Sequence, residues 1–195
     1  MLFASALGPV AWLACAGWNH GLGANPIETI THETGTWTLR FLVITLAVTP
    51  VRRLTGWNDI IRFRRMLGLF AFFYGTLHLL TYVWLDQFFD WSSIVKDVAK
   101  RPFITAGATA FLLMVPLAAT STAGMIRRLG GRTWRRLHRL VYVSAALGVV
   151  HYWWLVKADI RRPRAYAVTL AVLLGARLLV YLRSRTPPRF GRQRT

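Results

Sequence analysis

Residues 66–85 read MLGLFAFFYGTLHLLTYVWL, and residues 137–156 read LHRLVYVSAALGVVHYWWLV. The first stretch holds no Asp, Glu, Lys or Arg; the second holds only Arg139. Each has the length of a membrane crossing, about 20 mostly apolar residues, and each carries a histidine well inside it. Residues 1–18, 34–51, 102–126 and 165–182 extend the pattern, with Arg40 and Arg177 as their only charges. The expected fold is an all-α membrane protein, a bundle of six transmembrane helices. Composition agrees: of 195 residues 54% are hydrophobic and 16% charged, whereas a soluble domain carries about 25% charged residues. A soluble enzyme and a disordered tail are excluded. Nine Trp and six Tyr suit the two bilayer interfaces. The net charge of +18 does not indicate nucleic acid, because the basic residues stand in short clusters between apolar runs and form no basic face on a soluble module. Cys15 is the single cysteine, so neither an internal disulfide nor a thiolate cluster is available.

Loop charge sets the expected orientation. Fifteen Arg fall within 52–65, 127–136 and 183–194, against eight Lys or Arg at Arg40, Lys96, Lys100, Arg101, Lys157, Arg161, Arg162 and Arg164. Six of the seven acids, all but Asp59, share the second side. Both termini are therefore expected in the cytoplasm, with 19–37, 86–101 and 157–164 facing outward and 183–195 forming a basic cytoplasmic tail. A signal peptide is a weaker reading of 1–18, which has no basic start and no clear cleavage site. Its shortness leaves room for an earlier start codon. Pro50 is expected to end the second helix and Pro116 to kink the fourth.

Ionisable groups inside a membrane are costly and so mark function. Asp and Glu are absent from the six spans, which removes paired-carboxylate chemistry. At about 1.5 Å per residue, His78 lies roughly 20 Å from the cytoplasmic edge and His151 roughly 22 Å. Two imidazoles at one depth on two helices can hold one haem iron from opposite faces. Gly75 and Gly148 precede them by three residues, on the same helical face, where a flat macrocycle could approach the backbone. The plainer alternative is a pair of buried histidines bonded to nearby carbonyls or hydroxyls. His138 lies only about 3 Å past Arg136, at the cytoplasmic level; it is a third candidate ligand, for a second haem, or else a solvated surface histidine. His20 and His32, with Gly21 and Gly23, fall in the first outward loop as partner-docking candidates. Arg40, Arg161 and Arg162 outside, and Arg64, Arg135 and Arg136 inside, are candidate partners of haem propionates.

Several strings are familiar. Residues 19–26 (NHGLGANP), 30–35 (ITHETG), 64–69 (RRMLGL), 77–79 (LHL) and 134–142 (WRRLHRLVY) resemble the MsrQ family, the haem-binding membrane subunit of a periplasmic methionine sulfoxide reductase system. The resemblance implies the six-helix ferric-reductase-like transmembrane fold in a bacterial inner membrane. It implies haem b and FMN as cofactors, with His78, His138 and His151 as the haem-associated histidines. The implied role passes electrons from the quinone pool, or from a cytosolic flavin reductase, to a periplasmic molybdenum-containing catalytic subunit that reduces methionine sulfoxide in damaged proteins. Oxidases of this fold carry two histidines on each of helices three and five, whereas helix three here has one. No G-x-G-x-x-G string is present, and six spans leave no room for a nucleotide-binding domain, so electrons must come from another protein or a quinol. A stand-alone quinol dehydrogenase cytochrome or ferric reductase is the nearest alternative, and a transporter a more distant one.

Overall fold

The structure is a computed structural model that describes residues 2–156 and 158–185. Lys157 and the tail beyond Arg185 lie outside the described residues. Its helices are α1 (Leu2–Trp18), α2 (Pro26–Thr55), α3 (Phe63–Leu80), α4 (Trp91–Lys100), α5 (Pro102–Ala119), α6 (Ala123–Leu129), α7 (Gly131–Leu137), α8 (Leu140–Leu155) and α9 (Arg161–Arg185), with a 3-10 turn at Asn58–Arg62 and a π turn at Thr81–Asp86. No strand occurs among the described residues. Four segments are long and apolar enough to cross a membrane: Pro26–Thr55, Asn58–Asp86, Pro102–Ala119 and Arg161–Arg183. The shorter α1 and α8 have 17 and 16 residues.

Several boundaries differ from the sequence expectation, each for a local reason. Helix α2 begins at Pro26, eight positions before the expected 34, because Asn25 accepts from the Glu28 N–H and Pro26 occupies the first turn. Much of the expected loop 19–37 is therefore helix. Pro50 does not end α2. The helix runs on to Gly56, whose left-handed φ of 72° and N–H bond to the Arg52 carbonyl close it. The expected span 102–126 breaks after Ala119, and Thr122 starts α6 by accepting from the Met125 N–H. The expected span 137–156 bends at His138 and Arg139, so α8 proper begins at Leu140.

Helices α2 and α3 form one antiparallel pair and α5 and α8 another, with α9 against α8 and α2. One core cluster joins Ala6, Phe41, Leu42, Leu67, Phe70 and Tyr74; a second joins Leu39, Leu46, Ala145, Val149 and Leu170. Helix α2 contributes to both, so it is the axis of the bundle. The outer face is apolar: Leu112, Val168, Val172 and Leu179 are all exposed, a surface suited to lipid.

Polar contacts between helices end mostly on backbone carbonyls. Ser144 Oγ donates to the Ala110 carbonyl at 2.9 Å, joining α8 to α5. The buried Tyr74 hydroxyl stands inside the α1 ladder, donating to the Ala6 carbonyl at 2.9 Å and accepting from the Val10 N–H at 3.2 Å, one residue beyond Pro9. Pro50 lacks the N–H that would bond the Leu46 carbonyl. That carbonyl accepts instead from Arg177 Nη2 of α9, while Arg177 Nη1 reaches the Tyr142 hydroxyl at 2.6 Å. A neighbouring helix thus supplies the donor that Pro50 removes from α2, as a medium without water requires.

Candidate functional site

The two hairpins α2–α3 and α5–α8 present His78 and His151 to each other near the end of the bundle that carries most of the acids. Their ring centroids are 6.0 Å apart and their planes 77° apart. His78 Nδ1 lies 2.9 Å from the Thr31 carbonyl, and His151 Nδ1 lies 2.6 Å from the Phe103 carbonyl. A carbonyl can only accept, so each Nδ1 carries the proton and donates it. Each Nε2 is then a free lone pair, the tautomer that a metal-binding imidazole needs. The carbonyl-bonded alternative and the ligand reading therefore describe the same rings, because the bond to carbonyl occupies only Nδ1.

Glycines shape this arrangement, but not those singled out in the sequence. A Cβ on Gly75 would meet the Phe111 ring at 3.4 Å and Thr38 at 3.5 Å, and one on Gly148 would meet Leu39 at 3.6 Å. Both serve helix packing rather than a bare patch beside their own histidine. The glycines that touch the imidazoles are Gly35 and Gly107, on the opposing helices. Their signal was a glycine four residues after each acceptor, legible only once the helix pairing is known.

A small cleft of about 60 Å³ opens at the pair, lined by Thr31, His32, Gly35, His78, His151 and Tyr152 among others. His32 is therefore helical and at the mouth of the cleft, not in a loop; it pairs with Glu28 at 3.7 Å. His20 lies in the turn before α2 with a φ of 54°, beside Gly21 and Gly23. Arg161 and Arg162 are both exposed at the start of α9 and do not line the cleft. Arg40 lies on the exposed face of α2, with its guanidinium 4.5 Å over the Trp37 ring, and lines neither opening.

A larger cavity of about 270 Å³ lies at the arginine-rich end, among Arg64, Arg65, Phe72, Met114, Trp134 and His138 with other apolar side chains. His138 sits at the α7–α8 bend with its ring stacked on Trp134 at 3.8 Å. Its Nδ1 donates to the Trp134 carbonyl at 3.1 Å, and its Nε2 is 3.5 Å from Ser121 Oγ. It is a partly buried cavity wall, not a solvated surface residue. Arg64 lines the cavity without an ion-pair partner among the described residues. Arg135 and Arg136 are exposed and do not line it. The stacked rings of Phe72 and Phe111, 5.4 Å apart, stand between this cavity and Gly75 of the outer half. Sequence reading missed Arg65 as a lining residue and Arg177 as an interior one.

Over residues 34–149 the chain matches the family model of the ferric reductase like transmembrane component. A relative from Herminiimonas arsenicoxydans, named protein-methionine-sulfoxide reductase heme-binding subunit MsrQ, is 58% identical over 91% of this chain and 83% of its own. Proteins of the same name from Azospira oryzae and Ralstonia nicotianae are 56% and 58% identical over 95% and 89% of this chain, and 80% and 81% of their own lengths. The chain belongs to the MsrQ family. No solved structure matches it.

Proposed function

We propose that this chain is the membrane b-type cytochrome subunit of a methionine sulfoxide reductase system. The observation that carries this reading is the geometry of His78 and His151. Their ring centroids stand 6.0 Å apart and both Nδ1 atoms are tied to backbone carbonyls, which leaves two neighbouring Nε2 lone pairs that could serve one metal ion. No group of three or more His, Cys, Asp or Glu that could hold a metal ion occurs among the described residues. A metal between these two nitrogens must therefore bring its remaining ligands with it, as a porphyrin does.

His78 and His151 would hold the iron through Nε2, and a haem so held supplies one-electron exchange between ferric and ferrous iron. The Thr31 and Phe103 carbonyls fix both ring tautomers and would raise the basicity of each Nε2 toward a bound metal. Arg161 and Arg162, exposed at the start of α9, are the outer candidates for a propionate. At the other end, His138 with Arg64 offers a second ligand and an anion partner, the arrangement for a second haem. With α1 and α8 counted, six helices cross the bacterial inner membrane, both termini lie in the cytoplasm, and the His78–His151 pair faces the periplasmic side. Electrons enter at the arginine-rich end, from quinol or a cytosolic flavin reductase. They leave near His32 for a docked periplasmic molybdenum-containing catalytic subunit. Such electron-transfer encounters are commonly small and weak, and the segment 21–35, with His20 beside it, is the docking face.

The test is anaerobic mixing of the pre-reduced membrane subunit with the purified catalytic subunit and a methionine sulfoxide substrate. Reoxidation of the haem band, slowed by substitutions in 21–35 that leave the spectrum unchanged, is the expected result. A red protein that is not reoxidised would point to a stand-alone quinol dehydrogenase cytochrome or ferric reductase. A colourless, folded protein would remove the cytochrome reading altogether.

A further inference from the structure

His78 and His151 rest on their neighbours in the same way, although the helices involved share no sequence repeat. His78 bonds the Thr31 carbonyl and lies on Gly35; His151 bonds the Phe103 carbonyl and lies on Gly107. In both cases the glycine follows the acceptor by four residues. Residues i and i+4 lie one above the other on a helix face, so carbonyl and bare Cα together make a shelf about one imidazole long. Each carbonyl takes the imidazole N–H beside its helical bond, and the Thr31 carbonyl also receives a 3.1 Å contact from the Thr34 hydroxyl, whose closer acceptor is the Ile30 carbonyl at 2.7 Å.

The shelf exists only without a Cβ. A methyl on Gly35 would stand 3.0 Å from His78 Cε1 and 3.1 Å from Nδ1. One on Gly107 would stand 2.7 Å from His151 Nδ1 and 3.0 Å from Cε1. Carbon atoms pack best at about 3.5–4.0 Å, and the helix backbone beneath cannot withdraw. The His151 imidazole would have to swing away from its carbonyl, and the His78 imidazole would have to give by a few tenths of an ångström, lengthening its bond to the Thr31 carbonyl. We propose that Gly35 and Gly107 are positioning residues, each acting on one ligand, which hold the imidazoles so that Nδ1 is tied to backbone and Nε2 faces the metal. This rests on the haem reading given above.

The experiment uses the full-length protein purified with haem, and the variants Gly35→Ala and Gly107→Ala, with Gly75→Ala as the control. The control also sits in a tight helix contact but touches Phe111 and Thr38 rather than a histidine. Loss of an outer-shell partner lowers metal affinity about 10–100-fold, so Gly107→Ala, the tighter contact, should lower haem occupancy at least tenfold under limiting haem. Gly35→Ala should keep its haem but shift the redox equilibrium toward ferrous iron by up to about tenfold, or 59 mV for one electron, because the bond that raises the basicity of His78 is lengthened. In proton spectra of the diamagnetic ferrous protein, slowly exchanging Nδ1 protons of His78 and His151 are expected beside that of His138, and Gly35→Ala should shift only that of His78.

Occupancy and redox equilibrium within twofold of the natural protein in both alanine variants would overturn the proposal. So would equal effects from Gly75→Ala, which would reduce the glycines to general packing. Should a variant not accumulate, the natural protein still decides: absence of a protected Nδ1 proton at either His78 or His151 overturns the proposal without any substitution. A colourless natural protein removes the haem reading and this one with it, whereas a red protein with indifferent glycines removes only the positioning role.

Discussion

Replacing Arg177 tests whether a side chain from α9 completes the ladder of α2. In the natural chain, Pro50 leaves the Leu46 carbonyl without a helical donor, and Arg177 Nη2 supplies one. Arg177→Met keeps an apolar stem of similar length and removes both that donor and the bond to the Tyr142 hydroxyl. Side-chain hydrogen bonds between membrane helices average about 0.6 kcal/mol and reach about 1.7. A buried acceptor left with no partner costs about 1–3 kcal/mol, which places this loss toward the upper figure. Removing a guanidinium whose Nε is itself buried without a partner offsets part of it. A net loss of about 1.5 kcal/mol follows, or a midpoint about 3–6 °C lower for a chain of this length.

The decisive comparison is the same substitution in a Pro50→Ala background. There the backbone gains an N–H that can bond the Leu46 carbonyl, and Arg177→Met should cost about 1 kcal/mol less, a coupling inside the usual range for groups that share a partner. Thermal unfolding of the four proteins in one detergent, followed by helical circular dichroism, gives the cycle. Additive losses, within about 0.3–0.5 kcal/mol, would refute the idea that Arg177 stands in for the missing N–H.

Three further outcomes are expected. His78→Ala and His151→Ala should each abolish the low-spin bis-histidine absorption of the reduced protein, and a full signal in either would mean the wrong pair has been assigned. His138→Ala should leave that signal intact while removing a second haem or slowing reduction from the cytoplasmic side; unchanged haem content and unchanged reduction rate would leave it only a cavity wall. Tyr74→Phe removes the hydroxyl held between Ala6 and Val10. Because those two groups are natural helical partners, α1 can close up, and the expected loss is about 0.5–1 kcal/mol with slower amide exchange at Val10. Faster exchange there would show that the hydroxyl holds α1 in place.

Much of the site was legible before any fold was known. Apolar length and the near-absence of charge mark out helices in a medium that excludes ions, since a crossing segment must be long enough and cannot hide its polarity. Counting residues from the arginine clusters placed His78 and His151 at one level because helical rise is constant, and the rings do meet. Helix boundaries were less legible. Asn25 and Gly56 reset the ends of α2 through capping bonds, and the expected stop at Pro50 gave way because the donor it lacks comes from α9.

The sequence by itself determined the class of protein, the candidate ligands and their depth, all of which depend on one-dimensional spacing along single helices. The tertiary structure alone decided which helices pair, and therefore that Gly35 and Gly107, not Gly75 and Gly148, lie under the imidazoles. It decided that Thr31 and Phe103 take the Nδ1 protons, that His32 stands at the cleft, and that Arg177 serves Leu46 at a separation of 131 residues. Contacts of this kind depend on how two helices rotate about their axes when they pack. That rotation is set by many small side-chain fits between segments far apart in the chain, so the spacing within either segment does not fix it.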